Sequence, residues 1–145
     1  MKQDMTDKYS GTVDIHDMTE KLERFLSKCS DVILVILFGS FTRGNVTAFS
    51  DLDIAILFYN TTDFYRINDL RENLSEVLNV PVDIVVLNNA SPVIKMQVLK
   101  KGILVVNKDP KAYSEFFVNT VKEYDDLKRT RREIEEKILR GRIYA

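Results

Sequence analysis

Val32-Ile33-Leu34-Val35-Ile36-Leu37-Phe38-Gly39-Ser40, then ten residues, then Asp51-Leu52-Asp53 is the stretch from which the fold can be read. The run from Asp31 to Phe38 is rich in Val and Ile and predicts a buried strand that ends at Gly39. A turn or short helix and a loop are expected over 40–50, and a second strand over Leu52 to Tyr59. Alternate side chains of a strand point to opposite faces, so Asp51 and Asp53 are expected on one side. The Gly-Ser turn offers backbone N–H groups and a hydroxyl to an anion such as a phosphate chain. Carboxylates and anion cradle would then sit on neighbouring strand ends.

Outward from this stretch, helices and strands alternate. Met18, Leu22, Phe25 and Leu26 follow helical spacing over Asp17 to Cys29, after a loose polar lead-in of about fifteen residues that contains His16. Phe64, Ile67, Leu70, Leu74 and Leu78 give a helix over Asp63 to Leu78. Pro81 punctuates it, and Val82 to Leu87 reads as a third strand. Ser91 and Pro92 mark a helix start, Lys100 its end, and Gly102 stops it. Ile103 to Asn107 makes a fourth strand. After Pro110 a charged segment to about Arg140 reads as a long helix, striped by Phe116, Phe117, Val121, Tyr124, Leu127, Ile134 and Ile138. The pattern predicts an α/β (α+β) fold: a small mixed β-sheet flanked by helices, with a long C-terminal helix. One domain is expected over 1–145, its core about 17–107 and its C-terminal helical segment about 110–140.

Composition narrows the function. The chain has 145 residues, 45% hydrophobic and 30% charged, with a formal net charge of −1. That balance supplies no global basic field, so direct nucleic-acid binding is not expected. Cys29, the only cysteine, can form neither an internal disulfide nor a zinc cluster by itself; it is read as a core residue at a helix end. Met1 to Thr12 is polar and lacks a signal-peptide core, and Val32 to Phe38 is too short to span a bilayer. A soluble, cytoplasmic protein without membrane contact is expected.

Asp83, second in its strand, adds a third acid. Burying it would be costly without compensation, and a cation beside Asp51 and Asp53 would compensate it. Close carboxylates repel unless a cation neutralises them, and hard oxygen ligands suit Mg²⁺. Asp51 and Asp53 are therefore read as ligands of two Mg²⁺ ions. Asp83 joins them and takes the proton from an attacking hydroxyl. ATP phosphates would complete the coordination. Gly39 and Ser40 would orient the β- and γ-phosphates, and Arg43 would clamp phosphate oxygens with its guanidinium fork. Taken singly, each feature has a bland reading: Gly-Ser as a turn, Asp-x-Asp as a strand start, Asp83 as a capping residue. Their joint order favours metal-dependent nucleotidyl transfer. Lys95, Lys100 and Lys101 could reach phosphates but are read as surface residues. The basic run from Lys128 to Arg142, broken by Glu133, Glu135 and Glu136, is read as a solvated face, with a partner surface as the rival. Tyr113, Phe116, Phe117 and Tyr124 are read as core.

Gly39-Ser40, ten residues and Asp51-Leu52-Asp53, followed by Asp83, resemble the signature of the DNA polymerase β-type nucleotidyltransferase superfamily. The small size is similar to its minimal, MntA-type antitoxin branch over about 17–107. Many members read Gly-Ser-x-Ala-Arg-Gly; Thr42 replaces the alanine here, while Arg43 and Gly44 remain. The resemblance implies a polymerase β-like fold, nucleotide binding by Gly39 and Ser40, and metal binding by Asp51, Asp53 and Asp83. It also implies a HEPN-domain ribonuclease toxin as partner, in a hetero-oligomer, with AMP passing from ATP to a toxin tyrosine. A small-molecule transferase of the antibiotic-modifying type, a purely binding antitoxin and a non-turning-over nucleotide sensor are the alternatives.

Overall fold

The computed structural model describes residues 14–39 and 51–144. Helix α1 spans Ile15–Leu26; Asp14 caps it, its carboxylate accepting the His16 N–H at 3.0 Å. The cap starts α1 ahead of Asp17 and draws His16 out of the lead-in into the first turn. Strand β1 (Val32–Phe38) is buried along nearly its whole length, and β2 (Leu52–Phe58) buries five of its seven residues. Helix α2 (Phe64–Leu78) is capped by Asp63, whose carboxylate accepts the Arg66 N–H at 2.8 Å. It stops where Asn79 takes a left-handed conformation (φ 57°). Strand β3 covers Val82–Val86, and α3 (Pro92–Lys101) starts on a Ser91 cap. Strand β4 is Ile103–Asn107 and α4 runs from Pro110–Tyr144, four residues past the expected Arg140.

These strands form one mixed sheet in the order β3-β2-β1-β4. β1 pairs antiparallel with both β2 and β4, whereas β2 and β3 run parallel, joined through α2. The period-2 alternation of β2 divides the core. Leu52, Ile54, Ile56 and Phe58 face α1 and α2 in the larger cluster with Leu22, Leu26, Leu70 and Leu74. Ala55 and Leu57 face the other way, onto Ile36, Val98 and Phe116 from β1, α3 and α4.

At the end of the sheet remote from Gly39, Asp31 and Arg66 tie the start of β1 to α2. Both guanidinium contacts to the carboxylate, from Nε and from an Nη, are 2.9 Å long. The hydrogen bonds and charge of Arg66 hold the Asp31 carboxyl below the usual carboxylate range, and Arg66 itself is pushed up by the same contact. Lys108, after β4, donates to the Cys29 carbonyl at that end too. Cys29 is half-buried against the larger cluster, as expected.

Only the first half of α4 is packed. Phe116 and the buried Thr120 face the body, and Lys95 of α3 pairs with Glu123 at 3.3 Å while lying over the Phe116 ring. Phe117 is exposed, so the expected apolar stripe is narrower than its spacing suggested. Every side chain from Lys128 to Gly141 is exposed, Ile134 and Ile138 among them. No described helix is long and apolar enough to cross a membrane.

Candidate active site

Sheet register brings the acids together. In the parallel β2–β3 ladder Asp53 stands directly beside Asp83, as Leu52 stands beside Val82. Adjacent strands lie about 4.8 Å apart, so the two carboxylates emerge next to one another. Both follow the parity of Ala55 and Val85, which pack on the α3 side. Asp51 immediately precedes β2, two residues from Asp53, and is exposed.

Asp83 is also exposed, not buried as the sequence suggested. It lies near the open mouth of β3, where the strand has only just left solvent, so no desolvation has to be offset. Among the described residues no three acidic, histidine or cysteine side chains converge tightly enough to enclose an ion as they stand. The register pair of Asp53 and Asp83, with Asp51 two residues upstream, is nevertheless an all-oxygen donor set that fits a hard divalent cation such as Mg²⁺.

Gly39 closes this site from β1. Its φ of +87° is a conformation that side chains other than glycine rarely adopt. A Cβ built there would lie 2.2 Å from Asp53 Oδ2. Glycine is required twice over, by the turn and by the close approach of the carboxylate. Ser40 and Arg43, the other expected phosphate-binding residues, lie outside the described residues, as does the expected turn or short helix over 40–50.

A cavity of about 260 Å³ opens beside Asp53, lined by Phe38, Gly39, Asp53, Gln97 and Lys101. Gln97 and Lys101, four residues apart on α3, share one face of that helix. Sequence reasoning overlooked Gln97 and assigned Lys101 to the surface. Their spacing was visible; the placement of the α3 end over β1 was not, because it depends on β4 lying next to β1.

This geometry has close relatives. A family model described as polymerase beta, nucleotidyltransferase matches residues 20–111. The protein adenylyltransferase MntA of Shewanella oneidensis is 32% identical over 108 residues, covering 73% of this chain and 76% of that protein. A crystal structure of a toxin–antitoxin pair with AMP-PNP contains a chain 30% identical to this one, with a TM-score of 0.72; the match covers 83% of this chain and 98% of that one. A structure of a tri-AMPylated Shewanella oneidensis HEPN toxin in complex with MNT antitoxin gives 27% identity and a TM-score of 0.69, over 86% of this chain and 98% of the other. The mixed sheet and its flanking helices agree with that kinship, and the chain belongs to the polymerase β-type nucleotidyltransferase family.

Proposed function

We propose that this chain is a protein adenylyltransferase and the antitoxin of a toxin–antitoxin pair, moving AMP from ATP to a tyrosine of a HEPN-domain ribonuclease toxin. The observation that carries the reading is the placement of Asp53 beside Asp83 with Gly39 against the Asp53 carboxylate, in a chain that covers nearly all of one chain of a toxin–antitoxin structure determined with AMP-PNP. The reaction is an in-line displacement. The tyrosine oxygen bonds to the α-phosphorus, the bond from that phosphorus to the α–β bridging oxygen breaks, and pyrophosphate leaves. The exposed Asp83 carboxylate accepts the hydroxyl proton. Asp51, Asp53 and Asp83 would hold two Mg²⁺ ions, which would supply positive charge to the reacting phosphates. Gly39, Ser40 and Arg43 bind the phosphate chain. The protein works as one catalytic domain in the cytoplasm, in a hetero-oligomer with its toxin.

Incubation with ATP, Mg²⁺ and the HEPN protein encoded beside it is expected to add the mass of AMP to a tyrosine of that partner. Asp53→Asn is expected to reduce the rate about a thousandfold, the scale on which a preorganised charge stabilises a transition state. Neutralisation of the toxin that persists without AMP transfer would point to a binding antitoxin, and the assignment would be wrong. Transfer to a small molecule with none to protein would overturn it in favour of the antibiotic-type alternative.

A further inference from the structure

Among the described residues the cavity beside Asp53 is bordered by one cation, Lys101, with no role in the proton transfer or the metal site. Lys101 is the last residue of α3, exposed, and makes no ion pair among the described residues. Its position is fixed by the residue after it. A Cβ at Gly102 would lie 2.3 Å from Ile36 Cγ2 and 2.4 Å from the Val98 carbonyl oxygen, so the helix end is seated tightly on β1. The Gly102 N–H also donates to the Val98 carbonyl at 2.8 Å. This seating turns Gln97 and Lys101 over the mouth formed by Phe38, Gly39 and Asp53.

The order of strands gives the site a direction. Across the sheet end come Asp83 on β3, Asp53 on β2, Gly39 after β1, and Lys101 just before β4. Acids occupy one side and the cation the other, separated by strand steps of about 4.8 Å. An in-line displacement needs the entering oxygen and the leaving group on opposite sides of the phosphorus. If Asp83 takes the proton of the entering hydroxyl, the leaving phosphates extend away from it, toward Gly39 and Lys101. Three carboxylates and a triphosphate also outweigh two divalent cations in charge, so a cation at the leaving end is electrostatically favoured.

We propose that Lys101 binds the β- and γ-phosphates of the nucleoside triphosphate and holds the departing pyrophosphate, with the Gln97 amide donating beside it. The assignment rests on the nucleotidyl-transfer reading of the site, but it can fail separately. Lys100 provides the control, because it shares the last turn of α3, and so the same helix dipole, without lining the cavity.

The test is calorimetric titration of the full chain, in Mg²⁺, with AMP-PNP, AMP and pyrophosphate. Lys101→Met is expected to weaken AMP-PNP and pyrophosphate about tenfold to a hundredfold, the range of a charge-assisted hydrogen bond, and to leave AMP unchanged. Lys101→Arg should restore most of the affinity, and Lys100→Met should bind like the wild type. Equal binding of AMP-PNP by wild type and Lys101→Met, at matched melting temperatures, would overturn the proposal. So would a loss shared equally by AMP, which would place the lysine at the α-phosphate or make its effect a general field. A wild-type protein that binds none of the three ligands would overturn the nucleotidyl-transfer reading as well.

Discussion

A single glycine carries much of the site's precision. With φ at +87° and the Asp53 carboxylate against its Cα, Gly39 tolerates no side chain. Gly39→Ala must either shift the β1 end or push Asp53 out of line with Asp83. Displacing a reacting geometry by about 1 Å can cost about a hundredfold in rate. We expect a fall of that order in AMP transfer, measured by mass spectrometry of the partner, with only about 1 kcal/mol lost in urea unfolding, the scale of a strained left-handed residue. The glycine was legible as a turn residue because Gly-Ser follows an apolar run. Its contact with Asp53 was not, since that depends on the antiparallel register setting Phe38 opposite Asp53. Likewise Asp83 was legible as a strand acid, but its exposure follows from where β3 begins. Lys101 is exposed, as its sequence context Leu99-Lys100-Lys101-Gly102 suggests, but that context does not say which of the two lysines borders the cavity beside Asp53.

Among elements, α2 depends on a pairing that no local pattern announces. Asp31 and Arg66 are 35 residues apart, and only the crossover from β2 through α2 back to β3 brings them together. Both side chains are more than a third exposed, so solvent screens the pair and its worth is about 1 kcal/mol at most. The sign of its pH dependence is definite. Asp31 is held below its ordinary value of 3.8, so the folded state binds its proton less readily than the unfolded chain. The stabilisation is present above about that value and fades as acid protonates the folded carboxyl. Arg66→Met should lower the urea midpoint slightly at pH 7, and the difference from wild type should shrink as the pH falls below 3.8 and the folded carboxyl takes up its proton. A difference that persists in acid would assign the effect to lost packing. Helix boundaries, by contrast, were close to what spacing and caps predicted: Asp63, Ser91 and Pro92 act where the sequence put them, and Asp14 moved one helix start by two residues.

At the scale of the whole molecule, stability and length part company. Helix α4 has 35 residues, roughly 50 Å at 1.5 Å each, yet its residues from Lys128 to Gly141 are all exposed. Truncation after Leu127 is therefore expected to leave the thermal midpoint of the free chain within about 1 °C, since exposed positions contribute little. A larger drop would show that the distal half supports the body. The sheet has a consequence of a different order. β3 is an outer strand, reading Val-Asp-Ile-Val-Val, and among the described residues its far edge pairs with no other strand. A bare apolar edge of this kind is a template for pairing between molecules, and proteins commonly guard such edges with a charge. Asp83 is the one charge in β3. On that reasoning the group proposed for proton transfer would also guard this edge against self-assembly. Removing its charge with Asp83→Asn should bring slow fibril-type association, seen as rising light scattering and thioflavin fluorescence, which Asp51→Asn should not produce.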